Sequence, residues 1–110
     1  MRKIMIILIL FLHFPASAAI KEHLCIKYKD SYGWSKGYLV KAMVLYGYEL
    51  YQKTHDMKYN TYSKYVVIFW SPGEASIIKL DFNFVTFIGT EGEDQEGRKW
   101  LVSKNKHSCF

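Results

Sequence analysis

An all-β fold, a small antiparallel barrel or sandwich of six to seven strands with a single disulfide, follows from three features of the sequence. The first is a strand-turn-strand unit from Tyr65 to Leu80. Tyr65-Val66-Val67-Ile68-Phe69-Trp70 is β-branched and aromatic throughout, a composition that suits a pleated, packed surface. Ser71-Pro72-Gly73-Glu74 is a turn with a mechanism: Pro presets φ at the first central position and Gly takes the positive φ of a type II turn at the second. Both faces of the first strand are apolar, so it should be a central strand covered on both sides. The second feature is the recurrence of short apolar and aromatic runs between turn signals. The third is a pair of cysteines, Cys25 and Cys109, near the two ends of the domain.

The first 19 residues read as a cleaved secretory signal peptide. Arg2 and Lys3 form a positive start, Ile4 to Leu12 is an unbroken apolar run, and Ala16-Ser17-Ala18-Ala19 offers small-residue cleavage sites. The run is too short to span a bilayer, so no membrane span is expected after cleavage. A single β domain, 20–110, should remain, in the periplasm or secreted. Of the 15 Lys and Arg residues, Arg2 and Lys3 fall in the leader, which leaves 13 against 10 acids, a net charge of +3. That balance does not describe a nucleic-acid polycation. Two cysteines in an exported chain are expected to pair, and Cys25–Cys109 would enclose nearly the whole domain; two free thiols or an intermolecular bridge are the alternatives.

The remaining elements follow in order. Cys25-Ile26-Lys27-Tyr28 is a short first strand. The polar, glycine-containing stretch 29–37 is a loop, with Trp34 expected as a core plug. Tyr38 to Tyr46 is a strand with Tyr38, Val40, Ala42, Val44 and Tyr46 on one face. Gly47 should turn the chain or form a bulge, and Tyr48-Glu49-Leu50-Tyr51-Gln52 should return as a strand. A helix over 39–51 is the competing assignment, against which Gly47 and the Tyr and Val content argue. Residues 53–64 form a long connection with a possible short strand at 58–62. Asp81 to Ile88 alternates as another strand, and Arg98 to Lys104 is the last. Asp94-Gln95-Glu96-Gly97 between them is a type I turn closed by a left-handed Gly.

No catalytic constellation is legible. His23, His55 and His107 form no i, i+4 pair, and neither H-E-x-x-H nor G-x-S-x-G occurs. The acidic stretch Glu91–Glu96 offers oxygen ligands, but its spacing does not match the twelve-residue calcium loop, and a solvated turn is the better reading. No metal or other cofactor is expected. The chain reads as a binding protein rather than an enzyme, with Tyr59 and Tyr62 in the long connection, Ser71 and Glu74 in the turn, and Glu91, Glu93, Asp94 and Glu96 in the acidic loop as candidate contacts. An exported enzyme or toxin without a recognisable site and a structural envelope protein are the alternatives.

Phe69-Trp70-Ser71-Pro72-Gly73-Glu74-Ala75-Ser76 resembles the phenylalanine-tryptophan-serine-x-glycine-acid segment of the periplasmic inhibitors of C-type lysozyme. The resemblance implies a small β-barrel with cysteines near both ends, and a secreted hydrolase such as lysozyme as partner. That family's Ser-Gly-x-x-Tyr segment has no counterpart in His55 to Tyr62, so its role passes to no residue there. C-type lysozymes are cationic, and only Glu91–Glu96 would complement them locally.

Overall fold

The interior begins with the alternation of the strand Tyr38–Tyr46. Val40, Ala42 and Val44 point the same way, as a period of two requires, and meet apolar residues at matching positions of four other strands. In a computed structural model, which describes residues 20–107 and Cys109, the elements are β1 (Ile20–Asp30), β2 (Gly33–Trp34), β3 (Tyr38–Tyr46), α1 (Gly47–Thr54), β4 (Lys64–Ser71), β5 (Glu74–Leu80), β6 (Thr90–Glu93) and β7 (Lys99–Ser103). The leader assigned to 1–19 lies outside the described residues. The strands run β1-β3-β4-β5-β6-β7, every pair antiparallel, and β7 returns to β1. Pairing of Cys25 with Ser103 through Tyr28 with Trp100 closes the sheet. The fold is therefore a closed six-stranded barrel, with β2 as an extra strand on the far end of β1.

The bore is filled by side chains, as a barrel this narrow demands. Leu24 and Ile26 of β1, Ala42 and Val44 of β3, Val66 and Ile68 of β4, Ile78 and Leu80 of β5, and Trp100 and Val102 of β7 form one buried cluster. β6 supplies Gly92, where a Cβ would stand 2.7 Å from Ile78 Cγ2, so only glycine lets the strands approach this closely. A second cluster lies outside the barrel, where Leu45, Tyr65 and Val67 pack against Leu50 of α1. Tyr65 to Ile68 of β4 are thus covered on both sides, as expected, while Phe69 and Trp70 at its end are exposed.

Four expectations are corrected. Tyr48–Gln52 is helix, not strand. The Glu49 carboxylate accepts the Tyr46 N–H at 2.6 Å, and Gly47 and Tyr48 donate to the carbonyls of Ser63 and Thr61 at 2.9 and 3.2 Å. These bonds satisfy donors that a helix start leaves orphaned, and two of the three acceptors come from a distant segment. Gly47 lies so close to the Asn60 carbonyl that a Cβ would collide with it. His55, at φ 60°, ends the helix in a left-handed cap.

Asp81–Ile88 is an irregular loop, not a strand, because β6 takes the place beside β5 through Lys79–Glu93 and Leu80–Gly92. Val85 alone of its large apolar residues turns inward to join the core; Phe82, Phe84, Phe87 and Ile88 face out. Trp34 is no core plug: it lies on the surface in β2 with the Lys29 ammonium 5.8 Å from its ring centre. Residues 58–62 are turns rather than a strand, held by the Tyr65 hydroxyl accepting the Asn60 N–H at 2.8 Å.

The two turns form as the sequence requires. Gly73 and Gly97 each have φ 83°, and Gly97 donates to the Asp94 carbonyl at 3.0 Å. Cys25 and Cys109 are bonded across a separation of 84 residues, over the buried Gly37. A closure of that length restricts the unfolded chain by about 4–5 kcal/mol in the chain-entropy account. Reducing it should lower unfolding free energy by about that amount, read as a shift in denaturant midpoint with and without reductant. An unchanged midpoint would contradict this source of stability.

Candidate functional site

The alternation that fills the bore continues past the last core layer at one end of the barrel. One step beyond Ile26 is Tyr28, beyond Val40 is Tyr38, beyond Ile68 is Trp70, beyond Val102 is Trp100, and beyond Ile78 is Ser76. Four of these five positions are aromatic. They line a cavity of about 730 Å³ that opens to solvent and is bounded by the two hairpin turns, with Glu74 on one and Gln95, Glu96 and Arg98 on the other.

The rings form a continuous arc. Trp70 stacks on Trp100 at 6.2 Å and 28°, Trp100 meets Tyr28 edge-on at 6.0 Å and 69°, and Tyr28 stacks on Tyr38 at 6.3 Å and 14°. Such offset and edge arrangements suit the ring quadrupoles. Trp100 is the inner member, only 6% exposed, whereas Trp70, Tyr38 and Tyr28 are 49%, 39% and 37% exposed. The register of β4 and β5 shifts between Phe69 and Ser71, an irregularity that frees Trp70 from a ladder partner. The neighbouring Tyr38, through its charge and its hydrogen bonding, raises the Tyr28 phenol above its ordinary value.

Each indole is clamped across its own hairpin by a residue six positions away. Trp70 Nε1–H donates to Ser76 Oγ at 2.8 Å, and Trp100 Nε1–H donates to Asp94 Oδ2 at 2.9 Å. Asp94 also accepts the backbone N–H groups of Glu96 and Arg98 at 2.9 Å each and Arg98 Nε–H at 3.0 Å. Burial alone would push this carboxyl up, but the bonds from Trp100, the Arg98 and Glu96 backbone, and the Arg98 guanidinium outweigh it and hold it below the usual aspartate value. Gln95 ties the same turn to β5: its Oε1 accepts the Ile77 N–H at 2.9 Å and its Nε2 donates to the Ala75 carbonyl at 2.8 Å. The site is thus preorganised by bonds within and between two hairpins.

The candidate contacts read from the sequence divide. Ser71, Glu74 and Glu96 lie at this mouth, with Ser71 Oγ donating to Glu74 Oε1 at 2.7 Å and Glu96 paired to Arg98 at 3.1 Å. Asp94 belongs to the site as its buried support, not as a surface contact. Glu91 and Glu93 point outward from β6, and Glu93 faces Lys99 at 3.9 Å. Tyr59 and Tyr62 are elsewhere, beside the start of β4: Tyr59 packs edge-on against Tyr65 at 5.5 Å, and Tyr62 is exposed. Tyr28, Tyr38, Trp70, Trp100, Ser76 and Arg98 are site residues that sequence reasoning passed over. The signal for them was the period-two pattern extended one step outward on five strands. Among the described residues, no group of three or more His, Cys, Asp or Glu side chains is placed to hold a metal ion.

A second surface stands out by its exposure. Phe82, Phe84, Phe87 and Ile88, the last 90% exposed, project from the 81–89 loop. The loop backbone is fixed: Thr90 Oγ1 accepts from the Thr86 N–H at 3.1 Å and bonds the Phe84 carbonyl at 3.0 Å, and Ser103 Oγ donates to the Phe87 carbonyl at 2.7 Å.

No protein family, curated protein or solved structure matches the chain.

Asp94→Asn should destabilise the domain by about 1–3 kcal/mol, because an amide cannot accept from all four donors at once. Because the folded pKa is depressed, the Asp94 contribution is complete above the ordinary aspartate value near ~4 and fades as pH falls through the lower folded value. The variant should therefore show a shallower loss of stability on acidification than the parent, measured by denaturant unfolding at a series of pH values. Parallel acid limbs would argue against this role.

Proposed function

We propose that this chain is a small exported binding protein that engages its partner at the mouth of the barrel. The observation that carries this reading is the arc of four aromatic rings around an open cavity, three of them partly exposed. Aromatic groups of this kind give large, rigid contact area at low entropic cost and dominate binding hot spots. The partner is a protein, with a secreted hydrolase such as lysozyme as the leading candidate and an inhibitor or immunity-type role. The segment that resembles the lysozyme inhibitors, Phe69 to Glu74, forms one of the two turns at this mouth. Export is supported by the leader pattern and by the disulfide. The described residues include no helix long and apolar enough to cross a membrane.

Binding rather than catalysis is supported by how the mouth's carboxylates are engaged. Asp94 accepts four hydrogen bonds, Glu96 is paired with Arg98, and Glu74 accepts from Ser71. They hold the turns in place, an arrangement that leaves general acid–base work without an evident agent. A second reading, an envelope-associated protein, is favoured by the rigidly held display of Phe82, Phe84, Phe87 and Ile88, since exposed apolar patches of this kind mark docking surfaces.

Calorimetric titration of the mature protein against several C-type lysozymes and cell-wall hydrolases should give micromolar or tighter binding to at least one. Trp70→Ala should weaken that binding at least about tenfold, while Tyr62→Ala, on a different surface, leaves it unchanged. Silence across the whole panel would remove the hydrolase as partner. Recovery of the native protein with the membrane fraction, lost on Phe84→Ser with Ile88→Ser, would instead favour the envelope reading.

A further inference from the structure

We infer that the mouth receives a cationic side chain, a lysine or arginine presented by the partner; this rests on the binding reading above and names its chemistry. The faces of Trp and Tyr rings carry negative electrostatic potential and attract ammonium and guanidinium groups within about 6 Å of the ring centre. This protein already uses its surface rings that way. Lys36 Nζ lies 5.3 Å from the Tyr38 ring centre at the mouth, and Lys29 Nζ lies 5.8 Å from that of Trp34 on the adjoining β2. Trp70, the most exposed ring of the arc, has no such internal cation among the contacts of the described residues.

The charge around the cavity points the same way. Glu74 and Glu96 stand on its two bounding turns and Asp94 is bonded to the Trp100 indole, against two cations, Arg98 in the lining and Lys36 over the Tyr38 ring. Arg98 is committed to Asp94 at 3.0 Å and to Glu96 at 3.1 Å. Glu74 has a neutral hydroxyl donor in Ser71 and, among the described residues, no ion pair, and it lines the cavity with Trp70. A carboxylate or phosphate entering this mouth would meet like charge; an ammonium or guanidinium would meet ring faces and a carboxylate together. The cavity, at about 730 Å³, is ample for one long side chain and its water. A basic side chain supplied by a cationic hydrolase fits both features, although the chain as a whole is itself basic.

The test uses small probes and the intact mature protein. N-acetyl-lysine methylamide and N-acetyl-arginine methylamide are titrated while the indole Nε1–H resonances of Trp70 and Trp100 are followed by NMR. The neutral comparison is the lysine compound acetylated on Nε. Saturable, millimolar binding of both cationic probes is expected, about fivefold or more tighter than the neutral compound. Glu74→Gln should weaken the cationic probes about threefold and leave the neutral one unchanged, and Trp70→Ala should abolish the response at Trp100. Equal binding of charged and neutral compounds, or no saturable shift at tens of millimolar, overturns the inference. If hydrolases bind but the probes do not and Glu74→Gln is without effect, the cation inference fails alone. If the probes bind and no hydrolase does, the identity of the partner fails alone.

Discussion

Closure of the sheet through β1 is the constraint on which the rest of this structure depends. β1 pairs with β3 along its first half, with β7 through Cys25–Tyr28, and with β2 at its last two residues. An open sheet of six strands would leave the edges of β1 and β7 as unpaired rows of donors and acceptors, a template for association. Joining them removes those edges and encloses the apolar cluster of Leu24, Ile26, Val66, Ile68, Ile78 and Val102. β6 and β7 are short, four and five residues, and they are held in place by what flanks them. The Gln95 amide extends the pairing of β5 beyond the end of β6, and the disulfide fastens the segment after β7 to the middle of β1.

The candidate site is an outgrowth of the same packing. Each strand places alternate residues in the bore, and at one end the next alternate residue is aromatic on four of them. Core and mouth are therefore one continuous stack, with Trp100 belonging to both. Polar groups fix the orientation of the rings. Ser76 and Asp94 hold the two indoles from across their hairpins, so the geometry of each turn is transmitted directly to a ring. A site of this kind depends on hairpin shape more than on loop sequence, which is consistent with the recognisable turn chemistry at Pro72-Gly73 and Gly97.

What was legible in the sequence was whatever is decided locally. The Ser71–Glu74 and Asp94–Gly97 turns, the whole of β3, and the pairing of Cys25 with Cys109 follow from residue type and short-range pattern. What was not legible is decided by distant parts of the chain. α1 begins at Gly47 because Thr61 and Ser63 supply acceptors for its first donors and Asn60 presses on Gly47, none of which is visible between Tyr46 and Gln52. The alternation of 81–88 is real, but β6 already occupies the edge of β5 that it would need. The acidic residues drew notice because charge is conspicuous in a sequence. The aromatic arc was harder to see because its members are scattered over β1, β3, β4 and β7, and share a location only once the barrel closes.

The bond between Cys25 and Cys109 turns all that lies between them into a ring. A protease attacking an ordinary domain needs one successful cut to part its chain, and such cuts fall in exposed connections like 53–63 and 81–89. Here a single cut only opens the ring into a string whose halves remain tied, and every strand keeps its neighbours in the sheet. Two cuts, or a cut and a reductant, are needed before any piece between the two cysteines can leave. Durability of this kind comes from connectivity rather than from depth of burial, and a domain with so small a core gains from it in any medium where proteases are abundant.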